Sequence, residues 1–297
     1  MQADPVRDRA GRLAIIAGNG FLPLHVADAA RKAGENPFVI LLKNEVDRDF
    51  SSFEHEVAGV GDLARIERLV REKGVRRVVM SGGVKRRPEW RDIHPTWRTV
   101  IKIPYVVKTL LSGGDDTVLQ MVIGLFEGMG CTVIGVHDIV PGLLAETGLL
   151  GRHQPTDDDR RDIAMASKAA RLLGELDVGQ GAISVGGRIV AMEGVEGTDA
   201  MLQRVAELRG AGRISRRRRG VLVKLCKPQQ DVRADLPTVG PSTIRSAIAA
   251  GLGGVAIEAG RALILDKAEM LALADEGGLF VLGIDEGIDK RLQAKEI

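Results

Sequence analysis

Short, wholly apolar runs recur along the chain, each closed by glycine or charge and followed by a stretch of helical period. Residues 13–17 (LAIIA) form the first run, of the kind that lies buried in a parallel sheet. Gly18, Asn19 and Gly20 then turn the chain into a helix predicted over residues 22–33. Residues 37–42 read as the next strand. Asp62 stands where a helix to residue 73 needs its cap, and residues 75–80 make a third strand closing on Ser81-Gly82-Gly83. Helical period returns over residues 97–111. It returns again from Asp115 and Asp116 to residue 129, with Gly130 as the stop. Residues 132–136 supply a fourth strand. This alternation of strand and helix predicts an α/β fold with a doubly wound parallel sheet.

Residues 148–159 break the rhythm: they are polar and turn-rich, with Pro155 and a run of three aspartates. They divide the chain into an N-terminal extension (1–12), a first domain (13–148), a linker (149–159), a second domain (160–285) and a charged tail (286–297). The second domain reads as mixed α/β. It begins with a helix near residues 158–173, then a hairpin of 181–185 and 188–193 around Gly186-Gly187, a good two-residue turn. A helix over 198–208 leads through an arginine-rich loop to a strand at 220–225. Helices at 242–250 and 267–276 and strands near 254–257, 262–265 and 279–282 complete it.

The segment from Gly220 to Thr243 gathers most of the charge and turn chemistry. Pro228, Pro237 and Pro241 exclude a helix. If residues 231–235 run extended, Asp231, Arg233 and Asp235 point to one side, roughly 7 Å between successive members. The segment is then either a solvated turn with paired charges or a site for a charged ligand. Lys224 and Lys227, with Gln229 and Gln230 beside them, favour the site. A second cluster, Glu193, Glu196 and Asp199 with Thr198, follows the hairpin. Thr198 or Asp199 could serve simply as a helix cap. Hard oxygen donors near lysines instead suit Mg²⁺, which binds through one or two carboxylates and the phosphates of its substrate.

Other motifs are weaker. Gly18-Asn19-Gly20 starts like a dinucleotide fingerprint, but Pro23 stands at the third glycine position and Lys43 replaces the ribose-binding acid. The turn remains a place for an anion at a helix N-terminus. Asp115 and Asp116, after Gly113 and Gly114, are either a glycine loop with its cap or a substrate contact. The loop from Ser81 to Pro88 stands in the same balance. The histidines are scattered without zinc spacing, and no nucleophilic-serine elbow or phosphate-loop lysine motif occurs.

Composition narrows the classes. The 297 residues are 44% apolar and 28% charged, as in a soluble protein. An aromatic content of 3% leaves little for base stacking, and a net charge of +2 gives no polyanion signature, so nucleic acid is not an expected partner. No apolar run reaches the ~18 residues that cross a bilayer, and residues 1–12 lack a secretory apolar core. Cys131 and Cys226 form neither a metal knuckle nor a disulfide framework. A cytoplasmic protein is expected. Arg213 and residues 216–219 form the one strongly basic run. It is a solvated loop or a contact for anionic headgroups, worth roughly 1 kcal/mol per residue near a membrane.

The strings LAIIAGNGFLPLHVADAARKAG, GGDDTVLQ, LDVGQGAI, MEGVEGTDAMLQR, VLVKLCKPQQDVRADLPTVGPSTI, AGLGGVAIEAG and ADEGGLFVLG, in this order over residues 13–283, resemble the UDP-2,3-diacylglucosamine diphosphatases of the LpxI type. The resemblance implies a Rossmann-like N-terminal domain, a C-terminal α/β domain, and Mg²⁺-dependent hydrolysis of UDP-2,3-diacylglucosamine to lipid X and UMP, a step of lipid A synthesis. It implies catalytic roles for Asp231, Lys224, Lys227 and above all Asp235, as metal ligand or orienter of water. Glu193, Glu196, Asp199 and Asp235 become the expected metal set. Thr198, Gln229, Gln230, Arg233, Gly18, Gly20, Asp115 and Asp116 become substrate contacts. The implied partners are the glycolipid nucleotide and a transient contact with the inner-membrane surface; a homo-oligomer is left open. The arginine run and the N-terminal extension match no motif of the family.

Overall fold

The computed structural model describes residues 11–84 and 115–285, together with Gly287. The chain divides into two compact units: Met1–Pro141 with Asp231–Asp235, and Gly142–Gln230 with Leu236–Ile297.

The first unit is built on five parallel strands in the order β3-β2-β1-β4-β5. They are β1 (Arg12–Ala17), β2 (Phe38–Leu42), β3 (Glu54–Ala58), β4 (Val75–Ser81) and β5 (Thr132–Ile134). Leu13, Ala14, Ile15, Ile16 and Ala17 are all buried, as a central strand covered on both faces requires. The helices among the described residues are α1 (Leu22–Lys32), α2 (Leu63–Glu72), α3 (Asp115–Gly128) and α4 (Val136–Ile139). Asp62 caps α2 as expected, its Oδ1 accepting the Arg65 N–H at 3.1 Å. The α2 residues Ile66, Leu69 and Val70 recur at helical spacing and join the core with Ile40, Val78 and Val133. Truncating any one of these buried aliphatics costs about 1–5 kcal/mol.

Strand β3 was not expected, because EHEVA carries charge where a core strand carries apolar residues. It is an edge strand, and its acids pair outward: Glu54 with Arg12 and Lys73, Glu56 with Arg65. The N-terminal boundary also moves: Arg12, assigned to the extension, belongs to β1. The strand expected over 132–136 stops at Ile134, where Gly135 donates to Asp138 Oδ2 at 2.8 Å and starts the short α4. The helix expected over 97–111 lies outside the described residues.

The second unit holds a six-stranded sheet in the order β6-β13-β11-β9-β7-β8. Its strands are β6 (Gly148–Leu149), β7 (Gly181–Val185), β8 (Arg188–Met192), β9 (Val221–Lys224), β11 (Gly254–Glu258) and β13 (Phe280–Ile284). A separate parallel pair joins β10 (Thr238–Val239) to β12 (Leu263–Ile264). Helix α5 (Asp157–Glu175) covers one face through Ile163, Ala166 and Ala170; α6 (Gly197–Gly210), α7 (Pro241–Ala249) and α8 (Lys267–Glu276) belong to the cluster on the other.

The segment expected as a linker, 149–159, is not one throughout. It begins inside β6 and ends inside α5, which Thr156 and Asp159 cap reciprocally. The hairpin is as expected. Buried Asp162 of α5 fastens it, accepting from Ser184 Oγ, the Gly186 N–H and the Gly187 N–H. The arginine run is partly structural. Arg209 donates to the carbonyls of Ser215, Arg218, Arg219 and Ala250, and Arg219 donates to those of Gly278 and Leu252.

Candidate active site at the strand ends of the second sheet

Strands β9, β11 and β13 are mutually parallel, and β8 runs the same way because β7 is antiparallel to both β8 and β9. Their carboxyl ends share one edge, the usual place for ligands in sheets of this kind. Lys224 is the last residue of β9, Glu193 follows β8, and Glu258 ends β11. Lys224 is only 5% exposed and Glu193 only 7%, so the edge holds charges that burial alone would expel.

A hydrogen-bond chain compensates them. Lys224 Nζ donates to Thr198 Oγ1 at 2.7 Å and toward the Thr238 carbonyl at 3.4 Å. Thr198 in turn donates its hydroxyl to Glu193 Oε1 at 2.6 Å, and Lys224 Nζ stands 4.0 Å from that same oxygen. Thr198 is therefore no helix cap; Glu196 occupies that position and makes no side-chain cap bond. The second oxygen, Glu193 Oε2, is buried and has no hydrogen-bond partner among the described residues. It lies against Gly181, where a Cβ would stand 2.7 Å away and would have to displace it.

The loop after β9 carries the second lysine. Lys227, 9% exposed, bonds Asp177 Oδ1 through Nζ at 2.6 Å. Gln229 Nε2 donates to the Gly174 carbonyl, and Gln230 Oε1 accepts the Lys227 N–H and the Cys226 thiol. The Cys226 N–H goes to Glu258 Oε2 at 2.8 Å, and Arg261 pairs with the other oxygen of Glu258. Asp177, Glu258 and Arg261 were missed in the sequence. They come from the ends of other elements, and no local motif marks them.

Residues 231–235 belong to the first unit and are not extended. Val232, Arg233 and Ala234 form a turn, with the N–H groups of Ala234 and Asp235 both directed to the Asp231 carbonyl. Asp231 and Arg233 pair with each other within the turn: Arg233 Nη2 meets Asp231 Oδ2 at 2.7 Å, and Nη1 meets Glu127 Oε1 at 3.0 Å. The Arg233 guanidinium holds the Asp231 carboxyl below its usual range, and Asp231, then Glu127, push Arg233 further up. Ala234 packs against the core of the first unit, and Asp235 is exposed.

The four carboxylates expected as metal ligands are placed unequally. Glu193 lies in the buried chain. Glu196 pairs with Arg204 at 3.4 Å, Asp199 is exposed in the first turn of α6, and Asp235 belongs to the first unit. Among the described residues no three His, Cys, Asp or Glu side chains group as a metal site.

In the first unit, Gly18 and Gly20 shape a loop that is already occupied. The Gly18 N–H bonds the Ser81 carbonyl, Asn19 bridges to Gly83, and a Cβ on Gly18 would stand 2.3 Å from the Gly83 oxygen. The Gly20 N–H is taken by Asp47 Oδ1 at 2.9 Å. Asp116 is buried, and its Oδ2 accepts from Gln120; Asp115 is the first residue of α3. Residues 85–88 of the basic loop lie outside the described residues.

Comparison with known proteins follows the same division. The family model of the LpxI N-terminal domain matches residues 12–143, and that of the LpxI C-terminal domain matches residues 146–282. The UDP-2,3-diacylglucosamine pyrophosphatase LpxI of Caulobacter vibrioides is 39% identical over 276 residues, spanning 92% of this chain and 98% of that protein. Among solved structures, a GalE-like L-threonine dehydrogenase from Cupriavidus necator is 12% identical and covers 95% of this chain and 88% of its own, with a TM-score of 0.34. The two family models and the Caulobacter relative agree over nearly the whole length, and the chain belongs to the LpxI family.

Proposed function

We propose that the chain hydrolyses the diphosphate of UDP-2,3-diacylglucosamine, giving 2,3-diacylglucosamine 1-phosphate (lipid X) and UMP in lipid A biosynthesis. The observation that carries this reading is the chain from buried Lys224 through Thr198 to buried Glu193 at the carboxyl edge of the second sheet. The substrate comes from the relative, whose name gives it.

In the reaction, water adds to one phosphorus and the bridging oxygen leaves on the other phosphate. Negative charge builds on the phosphoryl oxygens as it does so. Lys224 and Lys227 are the cations that offset it, and in a buried setting they do so with little reorganisation. Thr198 spends its proton on Glu193, so its oxygen faces Lys224 as an acceptor and keeps the ammonium at the edge. Gln229, Gln230 and Arg233 are assigned to substrate contact. Asp235, the exposed carboxylate of its turn, is assigned the role of orienting the attacking water or accepting its proton.

Mg²⁺ is the proposed cofactor. Glu193 Oε2 fits it: a hard carboxylate oxygen, buried and without a partner among the described residues, is the kind of donor Mg²⁺ takes before filling its shell from phosphate and water. Glu193 would hold the ion, with substrate phosphate and water completing its shell; Glu196, paired with Arg204, and Asp199, exposed on α6, do not group with it among the described residues. Bound at Glu193, the ion would neutralise diphosphate charge. The same reading places the protein in the cytoplasm, meeting its substrate at the inner-membrane surface. No described helix is long and apolar enough to cross a membrane.

The test is UMP release from UDP-2,3-diacylglucosamine with Mg²⁺ and then with EDTA. Metal-dependent release is expected. Tight binding of lipid X with no release under any metal condition would instead make the protein a carrier of the glycolipid.

A further inference from the structure

We infer that Asp177 is a positioning residue for Lys227, retained at a cost in backbone strain. The inference rests on the reading that Lys227 meets a substrate phosphate. Asp177 follows α5 with φ of 54°, in the left-handed region where helices commonly end and where glycine is the usual occupant. Its N–H closes on the Gly174 carbonyl at 3.0 Å, and the Val178 N–H closes on that of Leu173. A glycine would make the same turn without a Cβ penalty. What glycine lacks is the carboxylate, and here the carboxylate reaches Lys227 Nζ at 2.6 Å, with both side chains largely buried.

The same helix end grips the lysine loop twice more. Gly174 leaves its Cβ space to Lys227 and Pro228; a Cβ there would stand 3.3 Å from Lys227 Cα and 3.1 Å from Pro228 Cδ. The Gly174 carbonyl accepts from Gln229 Nε2 at 2.7 Å. Contacts from one turn of α5 thus fall on Lys227, Pro228 and Gln229 in succession. Lysine is a long, flexible side chain whose ammonium has three donors. One donor given to Asp177 fixes the stem and leaves two for a phosphate. The orienting cost is then met before substrate arrives.

Asp177→Gly separates positioning from folding, because it removes the carboxylate and relieves the backbone together. Relief of the backbone offsets part of the cost of leaving Lys227 buried without its partner, so the melting temperature is expected to fall less than in Asp177→Ala, while kcat/KM for UMP release falls at least about tenfold, mostly in kcat. Asp177→Asn, which tolerates the same φ, is expected to recover part of the loss. In a Lys227→Ala background, Asp177→Gly should add no further loss, since the two act as one unit. Modification of Lys227 by an amine-reactive ester, followed by mass spectrometry without substrate, should be faster in Asp177→Gly. Wild-type kcat/KM in both Asp177 variants, or a full additive loss in the Lys227→Ala background, would overturn the inference. So would unchanged labelling of Lys227. If the wild type releases no UMP, the hydrolase reading fails by itself, and the labelling still decides whether Asp177 holds Lys227.

Discussion

The turn after β1 and the edge after β8 and β9 occupy equivalent places, at the carboxyl ends of parallel strands, yet they are filled differently. After β1, Gly18 lets the chain come close to another backbone, and the backbone it meets is its own loop at Gly82 and Gly83; Asp47 takes the Gly20 N–H. After β8 and β9, buried Lys224 and Glu193 are joined through half-buried Thr198, and one carboxylate oxygen has no hydrogen-bond partner among the described residues. The first turn is complete by itself. The second carries buried charge of a kind that stability alone does not favour, since replacing such groups with apolar side chains is often neutral or better. A glycine motif reads alike whether it approaches a ligand or a neighbouring loop, whereas a buried polar chain with an orphaned atom does not.

The sharpest way to break this contrast is Lys224→Met. It should lower kcat/KM for UMP release by about 10²–10³-fold, the scale of losing a preorganised charge-stabilising donor. It should also lower the melting temperature, because Glu193 is left buried beside Thr198 alone. Glu193→Gln added to it should restore the melting temperature without restoring turnover. Asp235→Ala, at an exposed position, should cut turnover by a comparable factor with little change in melting temperature; near wild-type turnover would remove Asp235 from the mechanism. Thr198→Val should lower kcat/KM by about tenfold or more, with Thr198→Ser close to the wild type, since the hydroxyl and not the methyl makes the chain. Equal losses in the two variants would show that Thr198 acts through packing.

Gly18→Ala tests the other side. The added methyl meets the Gly83 oxygen, so thermal unfolding should show a loss of about 1–3 kcal/mol, the usual cost of overpacking. A higher KM with unchanged stability would mean instead that the turn meets substrate. The smallest effect belongs to edge strand β3. Hydrogen bonds from Arg12, then Lys73, lower the Glu54 carboxyl to about 2 from an ordinary 4.5. A group whose folded value is depressed contributes stability above its unfolded value and loses it as pH falls toward the folded one. Stability should therefore decline between about pH 4.5 and 2, and Glu54→Gln should flatten that decline slightly. Unfolding curves at several pH values measure it.

Much of the fold was legible because its elements announce themselves locally. The apolar run at residues 13–17, the Asp62 cap and the Gly186-Gly187 turn each carry their own signal, and each element stands where the pattern placed it. Strand β3 was hidden because an edge strand needs charge, not burial, and β10 because two residues carry no period. The site divided in the same way. Glu193, Thr198, Lys224 and Lys227 were marked by charge density beside predicted strands. The pairing of Asp231 with Arg233 in a turn was one of the two readings open there, and the sequence did not decide it, since an extended segment and a turn share one sequence and differ in which side chains face each other. Asp177 and Glu258 were invisible because they reach the site only through the packing of α5 and β11.

The most direct test of where the chemistry sits is UMP release by the double variant Lys224→Met with Glu193→Gln, measured beside the wild type in Mg²⁺. The account predicts a protein that melts like the wild type, with release reduced by about 10²-fold or more. Release near the wild-type rate from that folded variant would contradict it and move the active site away from the strand ends of the second sheet.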